Sequence, residues 1–193
     1  MESITKEQAD VIGEIANICT GTAATALSLI INCPTNITTP KVEILSQEEN
    51  LVSDDRILVK VPYTKGIDGT NLMMLHIEDA LIIASLMMGG DGRDISGLEL
   101  NDLTLSAISE AMNQMCGSIA TCMASLIGRP TDIGYPLINS KFRKSFEIPE
   151  ELCNGTDIVK VTLRLIVDDL IDSALIQLYP ISIVKQILKQ EDL

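Results

Sequence analysis

A glutamate and an asparagine recur at one spacing in two stretches of this chain. Asp10, Glu14 and Asn17 are followed by Pro40, and Ser106, Glu110 and Asn113 by Pro136. Each member of the second set lies 96 residues after its counterpart (106 − 10, 110 − 14, 113 − 17, 136 − 40). The same register aligns Ile12 with Ile108, Gly21 with Gly117, Ala24 with Ala120, Thr25 with Thr121 and Pro34 with Pro130. A carboxylate accepts hydrogen bonds, and a carboxamide both donates and accepts. The duplication therefore offers two similar polar sites on one body. A structural reading competes with it: Asn17 and Asn113 could hydrogen-bond inside the fold and hold two helices in register, with the glutamates merely solvated. Duplication preserves either arrangement, so spacing alone leaves both open.

The elements that must carry these residues can be read from periodicity. Positions i, i+4 and i+7 share a helical face at about 100° per residue. Asp10, Glu14 and Asn17 thus form a polar stripe, as do Ser106, Glu110 and Asn113. Ile15, Ala16 and Ile18 flank the first stripe, and Ala111, Met112 and Met115 the second. The first helix is predicted from Thr5, which fits a capping box with Gln8, to Ile31, with Pro34 ending it. Strands are predicted over Ile37–Leu45, Arg56–Tyr63 and Asn71–Ile77, then a short helix over Glu78–Met88 ended by Gly89 and Gly90. After the polar stretch Asp91–Leu100 the pattern restarts. A helix capped by Asn101 or Asp102 runs to about Ile127, with strands around Thr131–Asn139, Ile158–Val167 and Ala174–Tyr179, and a closing helix over Ile181–Leu188. Each half reads helix, strand, strand, strand, helix. The fold class is α+β: one pseudo-two-fold domain over 1–193, with repeats at about 5–90 and 101–190 sharing a sheet.

Composition narrows the partners. The chain has 193 residues and a net charge of −13, which argues against nucleic acid and anionic membrane surfaces. Aromatics are 3% with no Trp, so the core must be aliphatic. Cys19, Cys33, Cys116, Cys122 and Cys153 form no CxxC pair, and Cys19, Cys116 and Cys122, in helical apolar patterns, read as buried thiols of a reducing compartment. The N-terminus lacks the features of a secretory signal, and no uninterrupted apolar stretch is long enough to span a bilayer. The expected location is cytoplasmic, with no membrane insertion.

Other chemistries find little support. His76 is the only histidine and lacks the neighbours of a zinc site. A catalytic triad would need that same residue, and no GxSxG turn supports one. The segment GGDGRDISG lacks the GK[ST] ending of a phosphate loop. The methionines read as core filler.

On the segments EIANICTGTAATALS and EAMNQMCGSIATCMA, the chain resembles the CheC/CheX/FliY phosphatases of bacterial chemotaxis. The family pattern is Asp or Ser, three residues, Glu, two residues, Asn, 22 residues and Pro, and both copies satisfy it. The resemblance covers nearly the whole chain and leans toward the FliY branch through VIGEIANICTGTAATALS, ITTPKVEI and LSAISEAMNQMCGSIAT. It implies a CheC-like fold with the signature helices packed on the sheet. It also implies hydrolysis of the aspartyl phosphate of the response regulator CheY, tuning flagellar motor switching. Asn17 or Asn113 would orient the attacking water. Glu14 or Glu110 would pair with the regulator's active-site lysine. Asp10 and Ser106 would support or touch the partner. Pro40 and Pro136 would shape the loop or strand start behind each helix, and Gly21 and Gly117 would be structural. No cofactor or metal of its own is implied, since Mg²⁺ sits on CheY.

The implied partners are phosphorylated CheY and the flagellar switch proteins FliM, FliN and FliG, at the cytoplasmic face of the motor. CheD, a partner of the CheC branch, stands behind these. FliY proteins carry further segments on both sides of this region, so the resemblance fits a stand-alone CheC-like protein or part of a longer one. The alternative function is a non-catalytic interaction domain of the flagellar switch complex.

Overall fold

The structure, a computed structural model, describes residues 4–45, 55–139 and 157–189. Cys153 lies outside them. Helix α1 spans Lys6–Ile31 and opens on the expected box: Gln8 N–H donates to Thr5 Oγ1 (3.2 Å), and Thr5 N–H to Gln8 Oε1 (2.9 Å). It ends at Asn32, whose φ of 49° is the left-handed turn that Asn tolerates. Helix α3 spans Asp102–Leu126 and opens on a second box, with Asn101 Oδ1 accepting from the N–H groups of Leu103 and Thr104. The caps Thr5 and Asn101 are again 96 apart (101 − 5), so the duplication includes the capping chemistry. The remaining helices are α2 (Ile77–Met87) and α4 (Ile181–Leu188).

Seven strands among the described residues form one antiparallel sheet: β1 (Thr35–Leu45), β2 (Arg56–Lys65), β3 (Gly69–His76), β4 (Asp132–Ile133), β5 (Leu137–Asn139), β6 (Ile158–Val167) and β7 (Ile171–Pro180). Their order is β1-β6-β7-β3-β2-β4, with β5 also on β2. The halves interlock. Their last strands pair at the centre, Leu72 opposite Leu178 and Met74 opposite Ile176. Each half's first strand lies at an outer edge against the other half's second strand: β1 on β6, β4 and β5 on β2. The α+β expectation holds, and the signature helices pack on the sheet.

Pro136 corrects an expected strand, and Pro40 the place expected for it at a loop or strand start. Pro40 lies inside β1 rather than at its start, where the register with β6 shifts between Thr38 and Lys41. The predicted strand Thr131–Asn139 is two strands, broken between Ile133 and Leu137 by Gly134, Tyr135 and the buried Pro136. Proline has no N–H for the ladder, so it is tolerated on edge strands and at bulges. Both positions are such places, on opposite edges.

Side-chain alternation divides the interior. Ile57, Val59, Val61 and Tyr63 of β2 face the main core with Met73, Leu75, Val161 and Leu163. Leu58, Leu72, Met74, Ile158 and Leu178 form a smaller cluster on the opposite face. The helices α1 and α3 seal the main core with Ile12, Ala16, Leu27, Ile108, Met112 and Met123. Each large aliphatic side chain buried there contributes about 1.5–3 kcal/mol. Helix α1 is long and apolar enough by composition to cross a membrane, with a mean hydropathy of 1.4. Its apolar face is spent on this core, and its other face carries Asp10 and Glu14 in solvent.

Candidate functional site

The two polar stripes lie on the outer faces of α1 and α3. Ala9, Ile12, Gly13, Ala16, Cys19 and Thr20 turn inward on α1, as do Ile108, Ala111, Met112, Met115 and Cys116 on α3. Helical geometry then forces the intervening positions outward. Asp10, Glu14, Ser106 and Glu110 are exposed, whereas Asn17 and Asn113 are half-buried.

Neither asparagine amide has a hydrogen-bond partner among the described residues. They therefore do not hold the helices in register, as the structural reading required. A half-buried carboxamide with unused donors and acceptors is available to an incoming ligand. Glu14, Asp10 and Ser106 likewise have no side-chain hydrogen bond among the described residues. Glu110 has one, from Gln114 Nε2 to its Oε1 at 2.7 Å.

Asn113 opens onto a groove of about 660 Å³, lined also by Thr22 of α1, Gln114, Gly117 and Cys122 of α3, and Ile133 of β4. The groove is thus framed by both signature helices and by the strand that precedes Pro136.

The glycines behave differently from expectation. A Cβ on Gly21 or Gly117 would meet no heavy atom within 4 Å, so packing inside the chain does not demand either. One helical turn beyond each asparagine, they leave bare backbone on the outer face. Of the glycines on the signature helices, Gly13 is the one that packing demands: a Cβ there would overlap the Val42 side chain of β1. It lets α1 lie close on the sheet immediately before Glu14. Nothing in the duplication marks it, because its counterpart 96 residues on is Ser109.

Beneath α1 runs a buried polar chain that the sequence did not disclose. Tyr179 OH donates to Gln177 Oε1 (2.6 Å), and Gln177 Nε2 donates to Thr20 Oγ1 (3.1 Å). Burial pushes the Tyr179 hydroxyl well above its ordinary pKa, so it stays a neutral donor. Cys19 lies against Cys122 between the helices, and burial together with that neighbour raises its pKa. Burial pushes the Cys116 thiol up to about 12. Cys19, Cys33, Cys116 and Cys122 are all free thiols.

His76 ends β3 and caps α2 rather than lining the stripes. Its Nε2 lies 2.8 Å from Arg56 Nη2, and Arg56 Nη1 also donates to Ala174 O (2.9 Å). Nearby, Ser173 Oγ donates to the buried carboxylate of Asp79, whose pKa is raised by burial. Among the described residues no group of three or more His, Cys, Asp or Glu could hold a metal.

With this geometry established, comparison with known proteins places the chain. A family model described as the CheC-like family matches residues 7–44 and 103–134, the two signature helices with the chain that follows each. The chain is 38% identical over 197 residues to the flagellar motor switch phosphatase FliY of Bacillus subtilis (strain 168), covering 97% of this chain and 50% of that one. The crystal structure of Thermotoga maritima FliY superposes with a TM-score of 0.84 at 33% identity, over 98% of both chains. A chain of the Helicobacter pylori FliG–FliM complex superposes at 0.74 and 16% identity, over 96% of this chain and 100% of that one, a likeness of fold alone. The chain belongs to the CheC-like family. It spans about half the length of the Bacillus relative it matches.

Proposed function

We propose that this chain hydrolyses the aspartyl phosphate of a CheY-type response regulator, using Asn17 and Asn113 on its two signature helices. One observation carries the reading: two half-buried asparagine amides at matched positions, without partners among the described residues, each one turn from an exposed glutamate. The names of the relatives, a motor switch phosphatase among them, support it.

The residue types suit the reaction. An acyl phosphate is already reactive, so catalysis rests on positioning and charge stabilisation rather than on strong acid–base groups. The carboxamide accepts from a water and donates to an oxygen without bringing negative charge toward the phosphate. Glu14 and Glu110 would repel a phosphoryl group if they faced it. One turn away, they are placed to pair with a lysine of the regulator and set the register of docking. Asp10 and Ser106 extend that contact surface. The Mg²⁺ of the reaction belongs to the regulator, and this chain contributes no cofactor.

The likeness to FliM structures favours a second reading, a domain that binds switch-complex neighbours such as FliM, FliN or FliG without turnover. The paired Glu and Asn argue for catalysis, since a scaffold has no use for unpartnered amides. In either case the protein works at the cytoplasmic side of the flagellar motor.

The test follows decay of phosphorylated CheY with wild type, Asn17→Ala, Asn113→Ala and the double variant. Wild type should accelerate decay, and the folded double variant should not. A wild type without effect, or an active double variant, overturns the reading.

A further inference from the structure

The two signature helices are not equivalent at the residue that follows the asparagine. On α3, Gln114 lies four residues after Glu110, and its Nε2 donates to Glu110 Oε1 at 2.7 Å. On α1 the position 96 residues earlier (114 − 96 = 18) is Ile18, 41% exposed, which offers no hydrogen bond. Glu14 has no side-chain hydrogen bond among the described residues. Gln114 also lines the groove beside Asn113, so it stands at the mouth of that site rather than apart from it.

We infer that Gln114 is a positioning residue that orients the Glu110 carboxylate for a cationic partner group, making the α3 site the tighter-docking of the two. The inference rests on the phosphatase reading above. A carboxylate has two oxygens and about four lone-pair directions. Gln114 occupies one of them, which leaves Oε2 and the outward side of Oε1 for an ammonium group. The contact therefore does not compete with docking. It removes rotamers that a free glutamate must give up when it binds, and such an ordering cost weakens association about two- to tenfold per long side chain. Glu14, beside Ile18, meets that cost at the moment of docking. Gln114 acts through the Glu110 carboxylate that docks the partner, so its effect belongs in KM and not in kcat.

The experiment isolates each site in the full chain. Asn17→Ala leaves only the α3 site, and Asn113→Ala only the α1 site. Steady-state hydrolysis of phosphorylated CheY should give the lower KM for the Asn17→Ala parent. Adding Gln114→Ala to that parent should raise KM about two- to tenfold with kcat unchanged. Adding Ile18→Gln to the Asn113→Ala parent should lower KM, the gain expected if the amide rather than the helix is responsible. Both substitutions are on exposed positions, and circular dichroism checks the fold. An unchanged KM on Gln114→Ala, a loss confined to kcat, a higher KM on Ile18→Gln, or activity only in the Asn113→Ala parent overturns the inference while leaving a phosphatase. Two folded parents without activity, beside an inactive wild type, overturn the phosphatase reading and this inference with it.

Discussion

The side-chain amide of Gln177, on the central strand β7, donates to the Thr20 hydroxyl on the buried face of α1 over 3.1 Å. Thr20 lies three residues beyond Asn17, so this bond ties the turn of α1 that carries Asn17 to the middle of the sheet. Thr20→Val keeps the shape and leaves the Gln177 amide buried with that donor unpaired. The expected loss is about 1–3 kcal/mol, read by urea denaturation. A variant as stable as wild type would show that the bond contributes nothing net.

Glycine substitutions should separate packing from exposure. Gly13→Ala forces a methyl into Val42 and should cost about 1–3 kcal/mol as an overpacked contact. Gly117→Ala places its methyl in open space within a helix and should gain about 0.5–1 kcal/mol. Thermal denaturation of the two variants decides it, and equal shifts of one sign would contradict the packing described for α1 and β1.

Asp79 predicts a specific pH dependence. Burial raises its pKa above the ordinary value of 3.8, even with Ser173 donating to it. Between that ordinary value and the raised one, the folded state binds more protons than the unfolded chain. This group therefore makes stability fall as pH rises through the interval, with a constant penalty above it. Asp79→Asn keeps an acceptor for Ser173 and removes the titration. Its stability profile should be flatter there, and the variant should gain on wild type toward neutral pH. Parallel profiles from pH 4 to 7 would rule the effect out.

Thiol reactivity should follow burial. Cys19 and Cys116 are inside the core, their thiols raised in pKa by burial, whereas Cys122 lies half-buried on the groove. Under native conditions at pH 8, a maleimide reagent followed by peptide mapping should label Cys122 well before Cys19 and Cys116. Prior saturation with phosphorylated CheY should slow that labelling if the regulator docks over Asn113. Equal rates at the three cysteines would contradict the packing of the two helices.

Much of the architecture was legible because it rests on local chemistry. The capping box of Thr5 and Gln8, the helical stripes and the alternation of Ile57, Val59 and Val61 are each set by residues a few positions apart. The register shift beside Pro40 and the break in the predicted strand before Pro136 were not legible, for the converse reason. Whether a proline begins a strand or sits in a bulge depends on which strand lies beside it, and β1 and β5 take their neighbours from the other half of the chain.

Register shows the same limit. The helix caps and the stripes keep the 96-residue offset, but His76 and Pro180, which lead into α2 and α4, are 104 apart (180 − 76). The order of elements makes them counterparts, but only the sheet, where β3 and β7 meet at the centre, fixes their register.

By itself, then, the sequence determined the two matched Glu and Asn stripes, the helices that carry them and the apolar faces that bury their reverse sides. Periodicity and short-range hydrogen bonding suffice for that. Only the tertiary structure decided that the asparagines lack partners among the described residues, that Gly13 rather than Gly21 or Gly117 is required by packing, and that Gln177 and Tyr179 reach up to anchor α1. These are contacts between residues far apart in the chain, fixed by strand order and by the seating of helix on sheet. No local pattern encodes them.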